Sequence, residues 1–248
     1  MTTTMTKTVA YFGASTGVGL ASLKHSLAAG YRCIALLRTP SKLATIFPAD
    51  TTPNLKIIHG NAHDISAVSQ CLQTEDGKLV DEIVSTLGNP FSVSGMLKGD
   101  PIDPEVCRKA MTVLLEALAQ LRRNGVTGKP HITVFGTTGI SRFGRDIPLV
   151  YVPLYHVMLK TPHEDKRAME DSLIASGEDY TCIRGSLMVK DPETARKIRV
   201  GVEDPKKGLE SKAVGYTISR GDAGRWITEN LLTKMDERYF NKIVSITY

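Results

Sequence analysis

Val9-Ala10-Tyr11-Phe12-Gly13-Ala14-Ser15-Thr16-Gly17-Val18-Gly19-Leu20-Ala21-Ser22-Leu23 passes from an apolar extended stretch, through a glycine-punctuated turn, into a helical run. That order is what a dinucleotide-binding βα unit requires. Glycines let the backbone approach a pyrophosphate closely, and the N–H groups and positive dipole end of the following helix meet its charge. Gly13, Ser15, Thr16, Gly17 and Val18 are therefore expected against a cofactor. A glycine-rich turn with no ligand would share the composition, but the strand, turn and helix in sequence argue for the site. The spacing is GxxxGxG rather than GxGxxG, which already narrows the subtype.

Outward from this turn, short β-branched or apolar runs alternate with longer amphipathic ones, the pattern of βαβ units on a parallel sheet. Strands are expected near 8–12, 32–37, 55–59, 82–86, 131–135, 180–184 and 242–246, and helices near 17–29, 41–47, 65–72, 104–124, 155–176 and 223–234. Asp103 before Pro104 reads as an N-cap followed by an N1 proline. Gly30, Gly125 and Gly177 read as helix stops. The expected architecture is an α/β, Rossmann-type, doubly wound and mostly parallel sheet with helices on both faces, formed as one NAD(P)-binding domain over residues 1–248. Two long loops, 87–100 and 185–215, interrupt the alternation and are expected to form the substrate side, since ligands bind at the carboxyl ends of strands in such sheets.

Composition narrows the function. Of 248 residues, 42% are hydrophobic and 23% charged, which is ordinary for a folded globular chain. The net charge of +5 comes from scattered cations, and aromatic residues make up only 6%, so a nucleic-acid platform with clustered cations and stacking rings is not indicated. Cys33, Cys71, Cys107 and Cys182 lie far apart, and the six histidines show no metal-ligand spacing, so neither a disulfide framework nor a metal site is expected. No segment reads as a signal peptide or a membrane span, which makes the cytoplasm the expected location.

The second strand ends in Arg38-Thr39-Pro40-Ser41-Lys42, where an NAD-preferring site would place an acid on the ribose hydroxyls. Arg38 offers a bidentate fork to a 2′-phosphate and Lys42 a second charge, so NADP(H) is the expected cofactor; the bland alternative is two solvated surface charges. Asn61 and Ala62, after the third strand, are expected beside the adenine. Leu87, Gly88 and Asn89, after the fourth, are expected to face the riboses.

With these residues in place the chain resembles an atypical short-chain dehydrogenase/reductase of the NmrA-like branch, related to biliverdin reductase B and to fungal biosynthetic oxidoreductases. The resemblance covers essentially all of the sequence. It rests on the glycine turn, on Leu37-Arg38-Thr39-Pro40, on Gly60-Asn61, and on Lys166-Arg167-Ala168-Met169-Glu170 leading into the 176–185 segment. It departs from the family where Asn61 replaces the common aspartate and Arg184-Gly185 the common Arg-Pro. The resemblance implies an NADP-dependent oxidoreductase, with Thr137, Lys166 and Gly185 on the cofactor side.

Enzymes of this type that use tyrosine pair it with lysine as YxxxK. The family pattern places the lysine at Lys166, but the residue four positions earlier is Pro162, so no phenol is supplied there. The expected catalytic residues are Lys166, Thr138 as a carbonyl polariser, and Tyr155. Tyr151, His156 and His163 are further residues in reach, and packing is the competing role for Tyr155. Hydride transfer to a conjugated acceptor needs no protein acid. The expected activity is thus NADPH-dependent reduction of a small hydrophobic, conjugated or aromatic carbonyl or quinone-like acceptor, by a monomer or weak homodimer without nucleic-acid or membrane partners. A noncatalytic dinucleotide-sensing regulator that binds a protein partner, and a redox-neutral isomerase or dehydratase, remain the alternatives.

Overall fold

The computed structural model describes residues 7–89, 103–152, 159–190, 192–194 and 196–248. Among the described residues, eleven strands, six α-helices and short 3-10 and π segments follow one another. The strands are β1 (Thr8–Phe12), β2 (Arg32–Leu37), β3 (Leu55–His59), β4 (Glu82–Ser85), β5 (His131–Thr137), β6 (Asp179–Gly185), β7 (Leu187–Val189), β8 (Arg199–Asp204), β9 (Gly208–Ser211), β10 (Thr217–Ser219) and β11 (Lys242–Thr247). The helices are α1 (Gly17–Ala28), α2 (Ser41–Ala44), α3 (Ile65–Leu72), α4 (Val106–Arg123), α5 (Lys160–Ala175) and α6 (Arg220–Ile227).

Nine strands form one sheet in the order β3-β2-β1-β4-β5-β6-β11-β8-β9. The run from β3 to β11 is parallel, and β8 and β9 extend it antiparallel. The alternation of side chains along each strand explains why every strand of the parallel run is apolar on both faces. Ala10 and Phe12 point into one core with Ile34, Leu36, Ile132 and Val134, under α3, α4 and α5. Val9 and Tyr11 point into the other with Cys33, Ala35, Phe135 and Ile183, under α1 and α6. Leu23 in α1 is fully buried, so Leu23→Ala costs about 2–5 kcal/mol. The buried Tyr11 hydroxyl is satisfied by Ser26 at 2.7 Å and Ser22 at 3.2 Å, which ties β1 to α1.

The strand order reverses beside β1, whose neighbours are β2 and β4, so the crevice expected of a doubly wound sheet opens between the carboxyl ends of β1 and β4. The fold class is therefore the one expected. The helix stops at Gly30, Gly125 and Gly177 each fall just past an observed helix end. Local boundaries differ at several points, among them the second helix, which ends at Ala44 rather than near 47, and the fifth strand, which runs on to Thr137. α4 begins at Val106 with Glu105 as its N-cap, while Asp103 instead accepts the Glu105 N–H at 3.0 Å and starts the turn. The final helix begins at Arg220, earlier than periodicity indicates, because the Ser219 hydroxyl caps it by accepting the Asp222 N–H at 2.9 Å, and it continues as a π-helical segment, Thr228–Thr233. The 185–215 stretch is no long loop: it contains β7, β8 and β9, with β7 pairing β10 in a separate two-stranded sheet. Its many charges mask the alternation in Arg199-Val200-Gly201-Val202-Glu203-Asp204, in which Gly201 and Glu203 face inward. Most of the 87–100 stretch, and Tyr155 and His156 with the expected start of the 155–176 helix, lie outside the described residues.

All four cysteines are buried free thiols. Burial pushes Cys33 and Cys71 up to about 12 and Cys107 to about 11, and raises Cys182 as well.

Candidate functional site

The glycine turn joins β1 to α1 with Gly13 at φ +89° and Gly17 at φ +61°, the left-handed region in which a side chain is strained. At Gly13 the turn also meets the end of β4: an added Cβ would lie 3.0 Å from the Leu87 nitrogen, and the Thr86 hydroxyl donates to the Gly13 carbonyl at 3.0 Å. The crevice between β1 and β4 is thus closed at its floor. Above the floor, α1 starts with Thr16 in extended conformation, without a side-chain cap and without an acid in its first turn. First-turn N–H groups left without a cap form an anion cradle.

At the end of β2, Arg38 and Lys42 are exposed, and neither side chain makes a hydrogen bond or ion pair with any described residue. After β3, the Asn61 side chain turns back to accept the His63 N–H at 3.2 Å, which fixes the turn and leaves its amide N–H₂ exposed; Ala62 packs half-buried beside it. Glycine backbone without side chains at the turn, uncapped helix donors and two cations without a partner among the described residues together fit a dinucleotide.

At the ends of β4 and β5 the polar groups are engaged with one another. The Lys166 ammonium donates to the Leu87 carbonyl at 2.5 Å and the Phe135 carbonyl at 2.7 Å, bridging the two strand ends, and it lies against Gly88. α5 is held in register by its neighbours. Asp165, one residue before the lysine, accepts the Cys107 N–H at 2.9 Å and the Arg108 N–H at 3.0 Å, supplying the N-terminal cap that α4 lacks locally. Glu170, one turn after it, takes Arg184 of β6 at 2.6 Å. Asn89 donates to the Asp103 carbonyl at 2.6 Å and so is spent on the α4 approach.

Arg184 is 3% exposed and also reaches Glu203 of β8 at 3.2 Å; Glu203 in turn accepts from Ser141 at 2.5 Å. Burial holds the Glu170 carboxyl above its ordinary value, opposed by the Arg184 charge. Burial likewise raises Asp146, opposed by the Gly139 N–H that it accepts at 2.9 Å. One guanidinium therefore joins β6, α5, β8 and the turn after β5.

Thr138 stands at the end of β5, its N–H donating to the Gly185 carbonyl at 3.0 Å, with its hydroxyl buried and without a hydrogen-bond partner among the described residues. The Thr137 hydroxyl donates to the Thr138 carbonyl at 3.2 Å. Gly185 is taken up in the sheet, where an added Cβ would strike the Phe135 ring at 2.6 Å; its glycine serves close packing. Pro162 lies in the first turn of α5, where a proline is tolerated, and His163 is buried. Tyr151 packs edge-on against Tyr216, with ring centroids 5.6 Å apart. Around this pair Leu149 and Val150 are 71% and 67% exposed, Tyr216 is 58% exposed, and Leu187 and Met188 of the neighbouring β7–β10 ribbon are partly exposed. Of this apolar rim, sequence reasoning named Tyr151 and the 185–215 stretch that holds Leu187 and Met188, and missed Leu149, Val150 and Tyr216; the signal for the first two is the proline-flanked run Pro148-Leu149-Val150-Tyr151-Val152-Pro153, too short for a core helix and not alternating.

Among the described residues no group of His, Cys, Asp and Glu is arranged to hold a metal ion, and no helix is long and apolar enough to cross a membrane.

Residues 13–234 match the family model described as NAD(P)H-binding. Reductase pytE of Aspergillus terreus is 38% identical over 97% of this chain and 98% of its own length. Oxidase pynE of Aspergillus niger is 28% identical over 97% of this chain and 98% of its own. Among solved structures, a wide-type short-chain dehydrogenase/reductase from Veillonella parvula in complex with NADP superposes with a TM-score of 0.71 at 13% identity, covering 98% of this chain and 95% of that one. ChuY, an anaerobillin reductase from Escherichia coli O157:H7, gives a TM-score of 0.67 at 17% identity, covering 96% of each chain. At such identities the structural likeness speaks for the fold. The chain belongs to the NAD(P)H-binding family, and its full-length relatives are named as a reductase and an oxidase, which supports an oxidoreductase.

Proposed function

We propose that this chain is an NADPH-dependent reductase that delivers hydride to a small hydrophobic, conjugated or aromatic carbonyl or quinone-like acceptor. The observation that carries the reading is the pair of exposed cations, Arg38 and Lys42, whose side chains have no partner among the described residues, together with an uncapped helix N-terminus. Their charges have no structural use where they stand, and a 2′-phosphate gives them one.

The residues divide the work. The Gly13–Val18 backbone takes the pyrophosphate, Arg38 and Lys42 the 2′-phosphate, and the free Asn61 amide the adenine, with Ala62 beside it. Lys166 holds the Leu87 and Phe135 carbonyls together and presents its remaining N–H to the nicotinamide-side ribose beside Gly88, which positions the ring rather than moving a proton. When bound, the reduced nicotinamide supplies the hydride. The proton comes from solvent, since Pro162 occupies the place of the phenol; Thr138 offers its buried hydroxyl to the acceptor oxygen. The rim of Leu149, Val150, Tyr151, Leu187, Met188 and Tyr216 favours a flat apolar acceptor by contact area.

The test joins a direct NADPH titration to a turnover assay that follows the nicotinamide absorbance band across quinones, flavins, enones and aldehydes. Binding with turnover of a conjugated class is the expected result. Tight binding without turnover of any class sinks the reductase reading, and the absence of binding sinks the cofactor with it.

A further inference from the structure

The first residue of α6 stands over the first residue of α1. A Cβ built on Gly17 would lie 3.3 Å from the Arg220 Cδ and 3.9 Å from its Nε, so the guanidinium stem rests against the start of the helix that forms the anion cradle. This placement follows from how the helices pack. Arg220 and Gly224 are one turn apart on the same face of α6. Gly224 lets α6 sink onto α1, where an added Cβ would meet Ala21 at 2.5 Å and the Val18 carbonyl at 2.6 Å. The close approach at Gly224 delivers the side chain one turn earlier to Gly17.

The start of α6 is also fixed from outside. Thr194 donates from its backbone at 3.1 Å and from its hydroxyl at 2.7 Å to Asp222, and Ser219 caps the helix. The surrounding charges are then informative. Arg225, on the same helix, is matched by Asp222 at 3.0 Å, Glu229 at 3.3 Å and Glu193 at 3.8 Å. The Arg220 side chain, on a half-buried residue, has no hydrogen bond or ion pair with any described residue. An unpaired guanidinium beside uncapped first-turn N–H groups makes two independent sets of donors that converge on one anion.

We propose that Arg220 closes over the dinucleotide pyrophosphate from the carboxyl-terminal part of the chain, so that the cradle is completed by a residue about two hundred positions from the glycine turn. The inference rests on the dinucleotide reading above and adds a distinct prediction: Arg38 discriminates between the cofactors, whereas Arg220 serves both. A Cβ at Gly17 would press lightly on the arginine stem, whose Cδ would lie 3.3 Å away.

The experiment titrates NADPH, NADH and adenosine 2′-monophosphate, which has no pyrophosphate, against the full native chain and the Arg220→Gln variant, with melting curves on the same samples. The expected result is that Kd for NADPH and for NADH rises by the same factor, about tenfold or more, while adenosine 2′-monophosphate binds the variant as it binds the native chain. Unchanged Kd for both dinucleotides overturns the proposal. A loss confined to NADPH and adenosine 2′-monophosphate also overturns it, because the guanidinium would then belong to the 2′-phosphate. A native chain that binds neither dinucleotide marks instead the failure of the dinucleotide reading itself, and the proposal falls with it. Should Arg220→Gln not fold, Arg220→Lys carries the same test: the charge is kept but the fork is lost, and a smaller, equal rise for both dinucleotides is expected.

Discussion

Arg38 and Arg184 both stand at the carboxyl ends of strands in the same parallel sheet, one just after β2 and the other near the end of β6, and they have opposite surroundings. Arg38 is exposed and has no partner among the described residues; Arg184 is buried between Glu170 and Glu203. The contrast extends to whole regions. Around β1, β2 and β3 the donors are left open: the α1 amides, Arg38, Lys42 and the Asn61 amide. Around β4, β5 and β6 they are consumed, with Lys166 on two carbonyls, Asp165 on the α4 amides and Arg184 on two carboxylates. On the proposed reading, the adenine side is finished by its ligand, while the polar groups of the reactive side are engaged with one another before any ligand arrives. That prior engagement has a reason, since a misplaced reacting group loses rate far more steeply than a misplaced anchor loses affinity.

If that division holds, the largest effect belongs to Arg184→Met. It leaves Glu170 and Glu203 buried and facing each other, and about 3–5 kcal/mol of stability is expected to be lost, read as a fall in urea midpoint. An unchanged midpoint would mean that the reactive side is not self-supporting. Lys166→Met comes next: turnover is expected to fall about 100-fold while the Kd for NADPH moves much less. A rise in Kd with kcat unchanged would make the lysine an anchor like those on the adenine side. Arg38→Asp should weaken NADPH relative to NADH by about 1.5–3 kcal/mol, or tenfold and more, with melting unaffected. Equal weakening of both cofactors would remove the 2′-phosphate from the comparison. The smallest effect, and the sharpest, is that of Thr138→Val. Removing a buried hydroxyl without a partner should stabilise the free chain by about 1 kcal/mol while lowering kcat; stabilisation with kcat intact would show that the hydroxyl never meets an acceptor.

The same division explains what could be read before the structure. The adenine side is built from short segments, a glycine turn and the first residues after β2 and β3, so each contact is local in sequence, and Arg38, Lys42 and Asn61 fall where spacing puts them. The reactive side is built from pairs distant in the chain: Lys166 with Leu87 and Phe135, Asp165 with Cys107, Arg184 with Glu203. Nothing in the periodicity around Glu203 marks it as the partner of a buried arginine, and the charges that surround β8 and β9 made that stretch resemble a loop. Gly185 illustrates the limit from the other direction. Its position beside the site suggested a cofactor contact, whereas packing against Phe135 already requires a glycine there.

The buried thiols bear on the chemistry in another way. Conjugated enones and quinones are alkylating agents, and the species that they alkylate is the thiolate. Cys107 is the thiol beside the reactive strands, its Sγ donating to the Leu87 carbonyl at 3.4 Å, and burial keeps it protonated up to about 11. With the other three cysteines shielded in the same manner, a chain acting on the proposed acceptor class would offer such electrophiles no thiolate at neutral pH. Resistance to self-inactivation is then a property of the core packing.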